Sequence, residues 1–362
     1  MVKMIMLIFL MIQVTMAANL PELIQENRVK IGPTVNPPIE FQGKLYFLAN
    51  SGVLFESNYD LSEIKNLFET ELASFSPITL HEGVLYFGEG LHEHKKANLY
   101  AYDLKEKKLK FKMKLEGHIE RAISIVDGIA YLGFGPGGIG AIDLSQQKII
   151  WQKKEIKAGV LHVDSNIIVY QKNICATSVY NYKGVFCLNA ADGSELFNVS
   201  LRLSPKSEIT LDGELLYGFS TEATMNDMNW KTPTSFYVVN LVKKNIQMEI
   251  ELRGYNFFAP LAIKDRKVFA TLSTGDLITI SLKNGKIDYV GEFPEPLVST
   301  PFYMQDELCA FGIMGQLLCY KQTKTGYALT KEKRYYETSV GKVSAPIAGK
   351  IYVPSRMGHF LL

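Results

Sequence analysis

Short runs in which apolar and polar residues alternate fill the chain from about residue 38 to its end, each bounded by Gly, Asp, Asn or Pro. Alternation puts every second side chain on one face, which predicts half-buried β-strands. Helical spacing is nearly absent, and only residues 60–72 offer it. The runs also repeat. An apolar pair, often opened by Pro, leads through a turn with Gly or Asp into an alternating run with an aromatic. The phrase stands at Pro38-Ile39 with Gly43-Lys44-Leu45-Tyr46, and at Pro77-Ile78 with Gly83-Val84-Leu85-Tyr86. It returns at Ala122-Ile123 with Tyr131, Val160-Leu161 with Asn166-Ile167-Ile168, Ile209 with Tyr217, Pro260-Leu261 with Phe269, Pro301-Phe302 with Cys309, and Pro346-Ile347 with Tyr352. From Tyr46 to Tyr352 it advances 306 residues in seven intervals, about 44 per copy, the period of propeller blades.

A second phrase follows each first one, as in Leu99-Tyr100-Ala101-Tyr102-Asp103, Ile139-Gly140-Ala141-Ile142-Asp143 and Val185-Phe186-Cys187-Leu188-Asn189. A polar turn such as Ala191-Asp192-Gly193-Ser194 and a short further run complete the copy. Four short strands joined by tight turns make one blade, so the expected fold is an all-β, eight-bladed β-propeller. Eight in-phase copies are too many for a β-sandwich. The last copy ends at Gly358-His359-Phe360-Leu361-Leu362 without an outer strand, which Arg28-Val29-Lys30-Ile31 can supply. Such a shared blade removes an exposed seam.

The first residues read as an address. Lys3 precedes the apolar run Met4 to Val14, and Thr15-Met16-Ala17 offers small residues where a signal peptidase cuts. The run is well short of the roughly 20 residues of a membrane span. The expected organisation is a signal peptide over 1–17 and a single propeller domain over 18–362, exported and, with no Cys at the cleavage point, not lipidated. Four cysteines agree with export. Cys175 and Cys187 flank one turn-like segment and Cys309 and Cys319 another, which favours the pairs 175–187 and 309–319 over four buried thiols. With 39 basic and 37 acidic residues, nothing favours a nucleic-acid partner.

The order of Gly, apolar alternation, Asp-Leu, Gly-Lys turn and aromatic resembles the pyrroloquinoline-quinone (PQQ) type propeller repeat. Ala141-Ile142-Asp143-Leu144 with Trp151, and Cys187-Leu188-Asn189-Ala190-Ala191-Asp192-Gly193 with Phe197, carry the likeness. The aromatic position reads Phe68, Phe111, Trp151, Phe197, Met248 and Tyr289 in successive copies. No Trp-Asp dipeptide closes a blade, which disfavours a WD40 repeat. Quinone-dependent dehydrogenases of this family carry adjacent cysteines, absent here, so no cofactor is expected. The compact exported members are similar to the BamB family, the propeller subunit of the outer-membrane β-barrel assembly machinery. That resemblance implies a non-enzymatic, monomeric, periplasmic or outer-membrane-associated scaffold. It would bind the machinery's core subunit or unfolded outer-membrane proteins. A quinone-linked enzyme and an envelope or extracellular adhesion module are the alternatives.

By the same resemblance, Ser200-Leu201-Arg202-Leu203-Ser204-Pro205 is similar in type to a docking loop, so Leu201, Arg202 and Leu203 are candidate partner contacts. Trp230, in an insertion with Met225 and Met228, is another, since exposed aromatic and Met residues suit adaptable binding. His92-Glu93-His94 could ligate a metal, but no third partner stands nearby in sequence, so no metal site is expected. Gly133-Phe134-Gly135-Pro136-Gly137-Gly138-Ile139-Gly140 lacks the following helix and Lys of a phosphate cradle and reads as a hairpin loop. Asn198-Val199-Ser200 is a glycosylation sequon, and Lys105–Lys108 and Lys331–Arg334 read as solvated turns. No nucleophile–base motif is readable.

Overall fold

In the computed structural model, the described residues are 23–24, 28–92, 94–223, 232–254, 261–335, 339 and 341–362. The segment 1–17 and Trp230 lie outside them. Eight antiparallel blades follow one another along the chain. Blade 1 comprises the strands Ile39–Phe41, Lys44–Leu48, Val53–Ser57 and Ile64–Glu69. Blades 2 to 7 repeat that order, starting at Thr79, Ser124, Ile168, Thr210, Ala262 and Phe302.

The glycines of the repeated phrase have a local cause. Gln42-Gly43, Glu82-Gly83, Asp127-Gly128 and Ala348-Gly349 each hold two consecutive residues at positive φ, near 50° and then 75–79°. That is the type I′ turn whose twist matches a two-residue hairpin, and Gly tolerates its second position without steric cost.

The middle strands are buried on both faces; every residue of Val84–Gly88 is buried. The fourth strands alternate, as in Lys108–Glu116, where Phe111 and Leu115 point inward between exposed lysines. These exposed fourth strands form the rim and leave the first strands at the hub. Among the described residues the core divides into eight clusters, one at each interface between neighbouring blades. Hydrogen bonds near the hub link blade to blade at close to the repeat spacing. Thr79 Oγ1 donates to the Ile123 carbonyl, Ser124 Oγ to that of Ile167, and Asn166 Nδ2 to that of Ile209.

The propeller closes as expected. Arg28–Lys30 pairs antiparallel with Gly358–Leu361 as the outer strand of blade 8, whose inner strand shrinks to the bridge Ile347–Lys350. Leu23–Ile24 runs parallel to the outer strand of blade 7, so the N-terminal backbone edges both late blades. Leu45, Phe47 and Leu61 of blade 1 pack against Tyr352 of blade 8.

Three expectations need correction. Residues 60–72 contain the strand Ile64–Glu69, because this exposed rim strand needs few apolar positions. In the fourth copy, Val160-Leu161 belongs to an extra hairpin, Glu155–Ile156 with Gly159–Val160. The true first strand there is Ile168–Tyr170 and the second is Asn173–Ser178, one strand later than the sequence phrase suggests. Lys331–Arg334 lies in the rim strand Tyr327–Tyr335, where alternate charges face water.

Both disulfides form the favoured pairs, Cys175–Cys187 and Cys309–Cys319. Each joins residues directly opposite one another on the second and third strands of a blade.

Candidate functional site

The docking-loop candidates separate once folded. Leu201 is buried at the interface of blades 4 and 5 with Cys175, Val185 and Tyr237, so it is a core residue and not an exposed contact. The apolar side chain follows the strand's inward alternation, which the isolated loop sequence does not reveal. Arg202 is exposed; its Nη2 lies 2.9 Å from Glu251 Oε2 and 3.2 Å from Ser235 Oγ. Leu203 is half-buried.

A different group converges where the loops of blades 2, 3 and 4 meet. His118-Ile119-Glu120 and His162-Val163-Asp164 precede the first strands of blades 3 and 4, and each residue of one motif lies 44 positions from its counterpart. In extended backbone, residues i and i+2 share a face. The central Ile119 and Val163 are buried in the core, so each His projects beside its acid. Adjacent blades then bring the two motifs together. The blade 2 loop adds His92.

The ligating atoms of His92, His118, His162 and Asp164 all lie within 4.8 Å of one another. His118 Nε2 is 2.9 Å from Asp164 Oδ1. His162 Nε2 and His92 Nδ1 lie 3.0 and 3.3 Å from Asp164 Oδ2. Glu120 Oε1 stands 3.5 Å from His92 Nδ1 and 3.7 Å from His118 Nε2. His118 is fully buried, Asp164 nearly so, and the His92 side chain is 53% exposed at the mouth. Tyr180 closes one side, edge-on to His162 at 4.7 Å.

Supporting contacts hold the group in place. His118 Nδ1 faces the His94 carbonyl at 3.3 Å, and Arg121 Nε donates to the Asp164 carbonyl at 3.0 Å. His94 is thus a positioning residue; its Nδ1 accepts from the Leu91 backbone at 3.0 Å. The Gly-rich segment is the expected hairpin loop, and it also makes room for His118. A Cβ on Gly135, at φ +55°, would sit 2.3 Å from His118 Cε1. Gly135→Ala is therefore expected to displace His118 and cost roughly 1–3 kcal/mol. A lowered melting temperature, with a shifted His118 imidazole resonance, would verify this.

The electrostatics are opposed and local. Burial pushes the His118 pKa down, but the Asp164 and Glu120 carboxylates outweigh it and the net shift is upward. The Asp164 carboxylate beside His92 raises its pKa. Burial and the neighbouring Asp164 charge raise that of Glu120. Burial opposes ionisation of Asp164, yet the surrounding imidazoles hold its carboxyl well below the usual range. The expectation that His92 has no third partner is overturned. The partners lie in other blades, and ring geometry supplies the proximity.

No family model matches the chain, and no curated protein matches it. Its fold is that of known propellers. BamB from Moraxella catarrhalis superimposes with a TM-score of 0.69 at 12% identity, over 94% of this chain and 99% of that one. A computationally designed protein, Ika8, gives a TM-score of 0.70 at 8% identity, again over 94% and 99%. The structural likeness to BamB agrees with the resemblance read from the sequence, at the level of fold.

Proposed function

We propose that this chain is an exported, non-enzymatic propeller scaffold that binds protein partners in the cell envelope, in the manner of BamB. The observation that carries this reading is the coextensive match: BamB and this chain cover one another almost end to end. The short apolar leader and two intrablade disulfides support export. A propeller fold by itself specifies no activity, so the loops must supply the specificity.

Mild crosslinking of the tagged mature protein in its native envelope, read by mass spectrometry, tests the proposal. Recovery of barrel-assembly subunits is the expected result. Enrichment of unrelated envelope proteins alone would remove the assembly role.

Within this reading, exposed Arg202 and half-buried Leu203 are the part of the docking segment left open to a partner. Arg202→Glu should weaken partner recovery at least several-fold. Its pair with Glu251 is exposed on both sides, so stability should change by less than about 1 kcal/mol. Undiminished recovery would retire this segment as the contact.

A further inference from the structure

We propose that His92, His118, His162 and Asp164 bind one divalent transition-metal ion of the zinc class, joining blades 2, 3 and 4. This inference stands apart from the scaffold reading. Three imidazole nitrogens and one carboxylate oxygen suit zinc or its neighbours, whereas magnesium and calcium favour all-oxygen shells.

Unsatisfied atoms point to the same place. Glu120 Oε1, His162 Nε2 and Asp164 Oδ2 are buried without a hydrogen-bond partner. The short approach of His162 Nε2 to Asp164 Oδ2 thus brings the two atoms close without a hydrogen bond. Buried polar atoms normally find partners, and three orphans around one point mark a place for a cation.

The proton positions argue likewise. The His94 carbonyl and the ionised Asp164 carboxylate can both only accept, so a neutral His118, with a single N–H, satisfies just one of them. The other nitrogen then turns its lone pair on an oxygen, 2.9 Å away at Asp164 Oδ1 or 3.3 Å away at the His94 carbonyl, acceptor against acceptor. A positive charge between them resolves the conflict. A backbone carbonyl fixing the distal nitrogen is also the usual second shell of a metal-bound histidine.

The dimensions are compatible with binding. Donors around tetrahedral zinc lie roughly 3.3 Å apart, given bonds of about 2.0–2.1 Å. The present spread of at most 4.8 Å closes to that with small side-chain shifts. His92, half in solvent on a loop, is the member freest to move. It also gives an ion its way in. Glu120 stands beside the donors as a further oxygen ligand or as the acceptor for a metal-bound water.

The test uses the full mature protein, stripped with chelator and titrated with zinc chloride by calorimetry. One saturable ion per chain is expected, with a rise in melting temperature. His92→Gln should weaken binding at least tenfold, and Asp164→Asn more. Because His118 and Asp164 are buried and their variants can fail to fold, the exposed His92→Gln decides the matter. His81→Gln, on a strand of blade 2 outside the cluster, should bind as the parent does. Cobalt substitution should give the intense visible bands of a four- or five-coordinate site, dependent on His92. No saturable zinc binding, or equal binding by parent and His92→Gln, would overturn the proposal and leave a protonated His–carboxylate network.

Discussion

Acidification from neutral pH to about pH 4 is expected to weaken the junction of the first and last blades by roughly 3 kcal/mol through His359 alone. His359 is 1% exposed on the last paired strand, against Phe47 of blade 1 with ring centroids 4.8 Å apart. Its Nε2 lies 2.9 Å from the Asn36 carbonyl, so the neutral imidazole donates there. Its Nδ1 is 3.3 Å from Thr34 Oγ1, whose hydroxyl donates to the Gly358 carbonyl. Burial lowers its pKa from 6.5 to about 4, against the pull of the Asn36 carbonyl.

The unfolded chain therefore takes a proton near pH 6.5 that the folded chain refuses until about pH 4. Across that window the unfolded state binds more protons, so stability falls as pH falls and is whole above it. Raised pKa values at His92 and His118 act with the opposite sign, but a His359 variant shares them. Urea midpoints of the parent and of His359→Gln, which keeps a donor toward Asn36, should converge on acidification. Parallel pH profiles would sink the assignment.

Loss of both disulfides should lower stability by about 6 kcal/mol, close to 3 kcal/mol for each loop. The linked residues are 12 and 10 apart in sequence, and closing such loops restricts the unfolded chain. All four cysteines are buried on interior strands, so little else compensates. The double variants Cys175→Ala/Cys187→Ala and Cys309→Ala/Cys319→Ala separate the contributions. Each should melt several degrees below the parent, and their combination lower still. If a pair melts with the parent, that disulfide contributes nothing beyond packing.

Much of this architecture was legible in the sequence because a propeller is built from local units. Each blade needs only alternation, a turn residue tolerant of positive φ, and an aromatic at the interface, all within about 44 residues. The pattern misled where an apolar pair had another use, as with Val160-Leu161 in the added hairpin. It failed similarly for Leu201, whose inward direction depends on strand register.

The His–carboxylate cluster was half visible. His118-x-Glu120 and His162-x-Asp164 recur at the blade period, a signal available to anyone aligning the copies for polar residues as well as apolar ones. Their meeting with His92 was not visible, because it depends on how neighbouring blades bring separate loops together.

The sequence by itself determined the strand repeat, the number of blades and the cysteine pairs, since each follows from short-range backbone geometry, and it pointed to the seam because the last copy lacks an outer strand. The tertiary structure alone decided which polar side chains share a site and which are left without partners. That depends on the rotation between blades and on burial, and neither is encoded in any single copy.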